Sequence, residues 1–228
     1  MGRTHHTADY LEAIYFLANP IGEYGPVVTD GPVPAARVAE MLDVTPPTAS
    51  EMLSRMEAEG LIKRGPRRGP LLTDKGQAEA EKFVRQHRII ERFLTDFLGY
   101  SPAESHEHAD ELGEAFDDQM VERLAEKLGH PDRCPHGWPV DTAHEREENV
   151  ALSALSAVDA PAKATIVRLA EHDGELLHWF YDQGLVPGTT LAVESGLDAA
   201  EQLNVVIEGE PRTISKRAAD ALFVRPAA

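Results

Sequence analysis

The chain has 228 residues, 42% of them hydrophobic, a single cysteine and a formal net charge of −17 at pH 7. That length predicts two or three compact units; no apolar run is long enough to span a bilayer, and Cys134 alone excludes an intramolecular disulfide and fits a reducing compartment. The start, MGRTHHTADYLEAIYF, lacks the basic, apolar, small-residue order of a secretory signal, so a cytoplasmic protein is expected.

The acid is unevenly spread: residues 1–76 carry 8 basic and 10 acidic side chains, 77–150 carry 8 and 18, and 151–228 carry 6 and 11. A polyphosphate partner then needs locally grouped cations, neutralisation of the carboxylates, or both.

From Thr7 to about Ala18, Tyr10, Leu11, Ile14, Tyr15 and Leu17 recur at helical spacing. After a Gly/Pro-rich loop, AARVAEMLDVTPPTASEMLSRMEAEGLIKR predicts a short helix, a tight turn and a second helix that stops at Gly60. That is the helix-turn-helix pattern, whose second helix suits a major groove. LIKRGPRRGPLLT predicts two short strands around a turn bearing Lys63, Arg64, Arg67 and Arg68, which makes the unit a winged helix with a basic wing. The recognition helix offers Thr45, Pro47, Thr48, Ser50, Glu51, Ser54 and Arg55 as candidate DNA contacts. Its hydroxyls can reach phosphates or bases, and Glu51 can accept from a cytosine amino group.

Thr73 caps an expected helix from Asp74 to about Leu98, with Phe83, Val84, Ile90, Leu94, Phe97 and Leu98 as its apolar stripe. His87 and Glu91 interrupt that stripe one turn apart. A further helix is expected from about Ala103 to Leu128, with Ala109, Leu112, Phe116, Met120 and Leu124 as core. His106, Asp110 and Glu114 stand at i, i+4 and i+8 along its edge. Carboxylates so close oppose packing unless a cation removes the repulsion. Oxygen-rich ligands with a few imidazoles suit Mn(II) or Fe(II). Asp9 and Glu12 form another acid pair at i, i+3 on the first helix. Two readings stand at this point: acids and imidazoles converging on a metal, or an acidic solvated face with scattered histidines.

Residues 146–159 read as an acidic linker, and 160–228 as short β-branched strands around the helix of DGELLHWFYDQGLVPGT, with Trp179 and Phe180 in the core. His5, His6, His130, His144 and His178 read as surface residues, and Cys134 as a turn residue.

Several stretches together resemble the metal-dependent transcriptional repressors typified by the diphtheria toxin repressor and the manganese transport regulator. TADYLEAIYFL is similar to that family's first helix, ARVAEMLDVTPPTASEMLSRMEAEGLI to its helix-turn-helix, and GPLLTDKGQAEA to the end of its wing. RQHRIIERFLTDFLG resembles its dimerisation helix, and CPHGWPV the turn closing that domain. The resemblance implies a mainly α chain: winged helix-turn-helix (1–76), helical dimerisation and metal-binding domain (77–145), linker (146–159) and small SH3-like β-barrel (160–228). It further implies a homodimer on palindromic operator DNA, with an interface on the 74–98 and 103–128 helices, and two metal sites per protomer, Mn(II) favoured and Fe(II) next. Asp9, Glu12, His87, Glu91, His106 and Asp110 match ligand positions of the family. Where a Glu-His pair is usual, this chain has Gly113 and Glu114, so Glu114 or a register-shifted Glu107, His108 or Glu111 is expected to complete the first site. Glu171, Asp173 and Glu175 are the candidates for an acid lent by the barrel, with Asp173 chosen. No catalytic residue is expected. The alternatives are a metal-independent winged-helix regulator, favoured by Gly113, and a metal-dependent hydrolase, for which no general base or cleft is marked.

Overall fold

The computed structural model describes residues 6–18, 33–65, 69–171 and 173–227; Arg67, Arg68, His5 and most of the loop after the first helix lie outside them. The chain divides into two compact units, with the division between Arg85 and Gln86.

The first unit contains helices α1 (Thr7–Ala18), α2 (Ala35–Met41) and α3 (Pro46–Ala58), then the antiparallel pair β1 (Ile62–Arg64) and β2 (Pro70–Leu72). Its core joins Tyr10, Leu11, Ile14 and Tyr15 of α1 to Val38, Ala49, Leu53, Met56, Leu61 and Ile62. The α3 start follows from its sequence: the Thr45 side chain accepts from the Thr48 backbone N–H, and Pro46 opens the helix, where its missing N–H costs nothing. Helix α4 (Asp74–Leu98) has the expected bounds, and Thr73 caps it while its hydroxyl donates to the Gly60 carbonyl at 2.7 Å. A Cβ on Gly76 would meet the Leu61 carbonyl oxygen at 1.9 Å, so this crossing of helix and strand needs glycine.

In the second unit, the helix expected over 103–128 is two helices. Helix α5 (Pro102–Leu112) runs into a 3-10 turn (Gly113–Ala115), and α6 (Asp118–Lys127) restarts after Asp117. Asp117 caps α6 by accepting from the Met120 N–H at 2.8 Å, and the Gln86 amide holds the freed carbonyls of Gly113 and Phe116. The break turns Met120 outward, where it is half exposed instead of core. Phe97 and Leu98, expected in the α4 stripe, are likewise more than half exposed.

The segment read as a linker is also ordered. Helix α7 (Thr142–Asn149) is capped by Asp141 and followed by β3 (Ser153–Ala154). Two of its acids are paired rather than solvated: buried Glu145 takes Arg88 at 2.8 Å, and Glu148 takes Arg133 and Arg168, while Glu147 is exposed. The barrel follows as β4 (Ala162–Leu169), α8 (Gly174–Asp182), β5 (Thr190–Ser195), β6 (Gln202–Ile207), β7 (Glu210–Ser215), α9 (Lys216–Asp220) and β8 (Leu222–Pro226). Its strands form one antiparallel sheet in the order β3-β8-β4-β5-β6-β7. A register shift between Ile166 and Arg168 breaks the alternation of β4, so that Ile166, Val167, Arg168 and Leu169 are all buried. Phe180 is buried and Trp179 packs on the same core, which also includes Ala103, Cys134 and Trp138. This shared core is why the barrel and the helices before it form one unit.

Candidate metal centre and nucleic-acid interface

Donors for the candidate metal centre come from four segments of the second unit. Helix α4 places His87 and Glu91 one turn apart, and α5 brings His106 over them: His87 Nε2 and His106 Nδ1 are 3.0 and 2.9 Å from Glu91 Oε1. The turn 134–140 adds His136, with Nδ1 at 3.3 Å from Glu91 Oε1 and at 3.3 Å from Glu171 Oε2, just beyond β4. Three imidazole nitrogens thus surround one carboxylate oxygen. Glu91 and His136 are wholly buried, and Glu171 nearly so. His136 Nε2 donates to the Pro102 carbonyl at 3.0 Å, which fixes Nδ1 as the nitrogen facing the cluster.

The charges answer to this packing. Burial would lower the pKa of His87, but Glu91 and Asp110 outweigh it and hold the ring well above its usual 6.5. His136 is raised in the same way against its burial, by Glu91, Cys134 and Glu171. Glu91 is held well below 4.5 although burial pushes the other way, because His136, His87 and His106 surround it. Burial, reinforced by Glu91 and Glu171, pushes the Cys134 thiol up to about 11.

Two observations test whether a cation fits. One donor atom each of Glu91, His106, His136 and Glu171 lies within 4.8 Å of all the others; ligands held at ~2.1 Å from a common ion stand about 3 to 4 Å apart. Glu91 Oε2 is buried and has no hydrogen-bond partner among the described residues, a costly arrangement that an ion relieves. The set of two carboxylates and two imidazoles fits a hard or borderline divalent cation. The other ring nitrogen of His87 faces Asp110 Oδ1 at 3.1 Å, outside this group.

Of the expected ligands, His87, Glu91, His106 and Asp110 come together in the second unit. Asp173 does not: it caps α8 by accepting from the Leu176 N–H and pairs with Arg217, and Glu171 takes the place expected of it. Glu107 is exposed, its carboxylate turned toward Gly174 at the start of α8. Glu114 lies in the 3-10 turn, its side chain outside the described atoms. Asp9 and Glu12 lie on α1 in the first unit, with Asp9 accepting from the His6 N–H at 2.8 Å. Sequence reading missed His136 altogether; the signal was a histidine between proline and glycine in a turn short enough to be forced inward.

Among the described residues, the nucleic-acid candidates lie on α3, at its N-cap and on β1. Thr45, Pro47, Thr48, Ser50, Glu51, Ser54 and Arg55 are exposed on α3, and Lys63 is exposed on β1. Arg64 reaches back to Glu57 at 3.4 Å and Ser54 at 3.4 Å, so it ties the wing to the recognition helix.

Comparison with known proteins agrees with this geometry. Residues 4–70 match the iron dependent repressor N-terminal DNA-binding domain, 73–142 the iron dependent repressor metal binding and dimerisation domain, and 154–226 the FeoA domain. The iron-dependent repressor IdeR of Mycobacterium tuberculosis is 32% identical over 203 residues, 83% of this chain and 84% of that one. The diphtheria toxin repressor of Corynebacterium glutamicum is 32% identical over 198 residues, 82% of each chain. A solved manganese-dependent transcriptional repressor in complex with manganese superposes with a TM-score of 0.83 at 29% identity, over 97% of this chain and 100% of that one. The chain therefore belongs to the iron-dependent repressor family, whose members are metal-dependent DNA-binding transcriptional regulators and not enzymes.

Proposed function

We propose that this regulator is a cytoplasmic homodimer that binds palindromic operator DNA when loaded with Mn(II) or, second, Fe(II), and that it controls genes of metal-ion homeostasis. The observation that carries the reading is the convergence of His87, His106 and His136 on the buried carboxylate of Glu91, with Glu171 behind His136. Glu91, His106, His136 and Glu171 are the proposed ligands of one ion. His87 and Asp110 are proposed for a second; Asp9, Glu12 and Glu114 keep, as a proposal, the metal-ligand role that the family resemblance implies. A divalent cation supplies the positive charge that balances the two buried carboxylates in place of protons on the imidazoles. The predominance of oxygen donors favours Mn(II) over Fe(II).

On the DNA side, the exposed hydroxyls of Thr45, Thr48, Ser50 and Ser54, with Pro47, Glu51 and Arg55, are proposed to face the major groove. Lys63, Arg64, Arg67 and Arg68 are proposed to meet phosphates. The half-exposed Phe97, Leu98 and Met120 are the proposed dimer contacts, since large apolar side chains on the face of a dimerisation domain mark where a second copy covers them. We retain 1–76, 77–145 and 160–228 as the functional divisions. The coupling required is modest: about 1–3 kcal/mol between ion and DNA changes occupancy roughly 5- to 150-fold.

Fluorescence anisotropy of chelator-stripped protein on DNA from upstream of its own gene tests the reading, with Mn(II), anaerobic Fe(II), Zn(II) or no metal at fixed salt. Binding that needs Mn(II) or Fe(II) and disappears in Glu91→Ala and His136→Ala is expected. Equal binding with and without metal overturns the gating.

A further inference from the structure

The turn that delivers His136 is fastened to the strand that delivers Glu171. Both backbone groups of Leu169 are spent on it: the N–H donates to the His136 carbonyl at 3.0 Å, and the carbonyl accepts from Trp138 Nε1 at 2.7 Å. Glu171 follows two residues later. The indole of Trp138 is buried against two guanidinium groups, with the Arg88 and Arg168 Cζ atoms 5.4 and 4.9 Å from the ring centroid. Each guanidinium is anchored in turn. Arg88 donates to the Pro139 carbonyl at 2.7 Å and to Glu145 at 2.8 Å; Arg168 binds Glu148 and donates to Asn149 Oδ1 at 2.8 Å. Arg88 also stands three residues before Glu91 on α4, so one stack meets the helix, the turn and the strand that supply ligands.

Purely apolar packing would fill the same volume without burying two cations, and ion pairs of this kind add little stability over well-packed apolar residues. What the stack does add is a single geometry. Gly137 completes it: its φ is +90°, and a Cβ there would meet the Val167 carbonyl oxygen at 2.0 Å, so turn and strand are pressed together without a side chain between them.

We propose that Trp138 is a positioning residue for the metal centre, holding the His136 turn on β4 through its bond to Leu169 and its contacts with Arg88 and Arg168 so that His136 and Glu171 face Glu91 as one preassembled pair. This rests on the reading of Glu91, His106, His136 and Glu171 as a metal site. Support from outside the ligand shell is worth about 10- to 100-fold in metal affinity.

The test is Co(II) titration of the full-length protein, followed by its visible spectrum and by chelator competition, with thermal melting of the same samples. Trp138→Leu is expected to weaken Co(II) binding about 10- to 100-fold and to alter the visible bands. Trp138→Phe, which keeps a ring against the arginines but loses the bond to Leu169, is expected to fall between it and wild type, and it carries the test if the leucine variant does not fold. Leu203→Ala, buried in the barrel core on β6, controls for stability: its melting temperature drops while its spectrum is unchanged. If both Trp138 variants match wild type, or shift binding no more than Leu203→Ala does, the positioning role is wrong. If His136→Ala keeps the wild-type spectrum, the metal-site reading itself fails and takes this inference with it.

Discussion

The recognition helix and the donor cluster are built on opposite plans. Helix α3 sits on its core through Ala49, Leu53 and Met56 and turns every candidate DNA contact to solvent. The donor cluster turns its carboxylates and imidazoles inward, and its members come from α4, α5, the 134–140 turn and the end of β4. A surface that must meet a large rigid partner can be written along one helix, because periodicity alone presents it. A site that must surround a small ion needs donors from several directions, and only tertiary structure brings those together.

Damage to either should therefore spare the fold of the other, and the largest effect is expected at Glu91. Glu91→Ala leaves three buried imidazoles without their common partner; metal-dependent DNA binding should vanish in an anisotropy assay, while circular dichroism still shows the winged helix. Leu53→Ala should cost the first unit about 2–5 kcal/mol through the cavity it leaves, read by denaturant unfolding. Co(II) affinity of the second unit should be unchanged, and a loss there would break the contrast. Thr45→Ala removes the α3 cap and should cost about 1 kcal/mol in the same assay. Lys63→Ala is expected to be the mildest, weakening all DNA sequences alike and lowering the salt slope of binding by about 1, measured by anisotropy across salt concentrations.

Acidity sharpens the same contrast. His87 and His136 have raised values in the folded chain, so their contribution to the metal-free protein is fully present below 6.5 and is lost as pH climbs through those raised values. Glu91 is lowered, so its contribution is present above 4.5 and is lost as pH falls through its depressed value. The metal-free protein should melt highest between 4.5 and 6.5 and less high on the alkaline side. Metal affinity should rise with pH over that alkaline range, because binding displaces protons from the rings. Scanning fluorimetry across pH, with and without Mn(II), checks both slopes.

Where local rules govern, the sequence was readable. Thr73 and the run after it defined α4 at both ends, and the Pro46-Pro47 start with the Gly60 stop defined α3. The break after Leu112 was misread because the apolar spacing continues through Phe116 to Met120. The stronger local cues were Gly113 and the capping Asp117, and Gln86, distant in sequence, holds the carbonyls exposed by the break. Glu148 read as part of a solvated linker because its partner Arg168 is 20 residues away, and the pairing of Glu145 with Arg88, 57 residues away, was equally hidden. At the metal centre, i, i+4 spacing brought His87 and Glu91 to notice and family likeness placed His106 beside them. His136 stayed hidden because no periodicity marks a residue in a turn, and Glu171 could not be chosen over Asp173 until the start of α8 claimed Asp173 as its cap.

The burial of Glu91, His136 and Glu171 also has a bearing on time. An ion held there as proposed would leave past the partly exposed His106 or when the turn or a helix opens, and such openings are slow compared with diffusion. A regulator built this way retains the memory of its last loading: a brief dip in free metal passes before the ion escapes, and only sustained scarcity empties the site. With the proposed site loaded, its output would track the average supply of metal over the lifetime of the closed state.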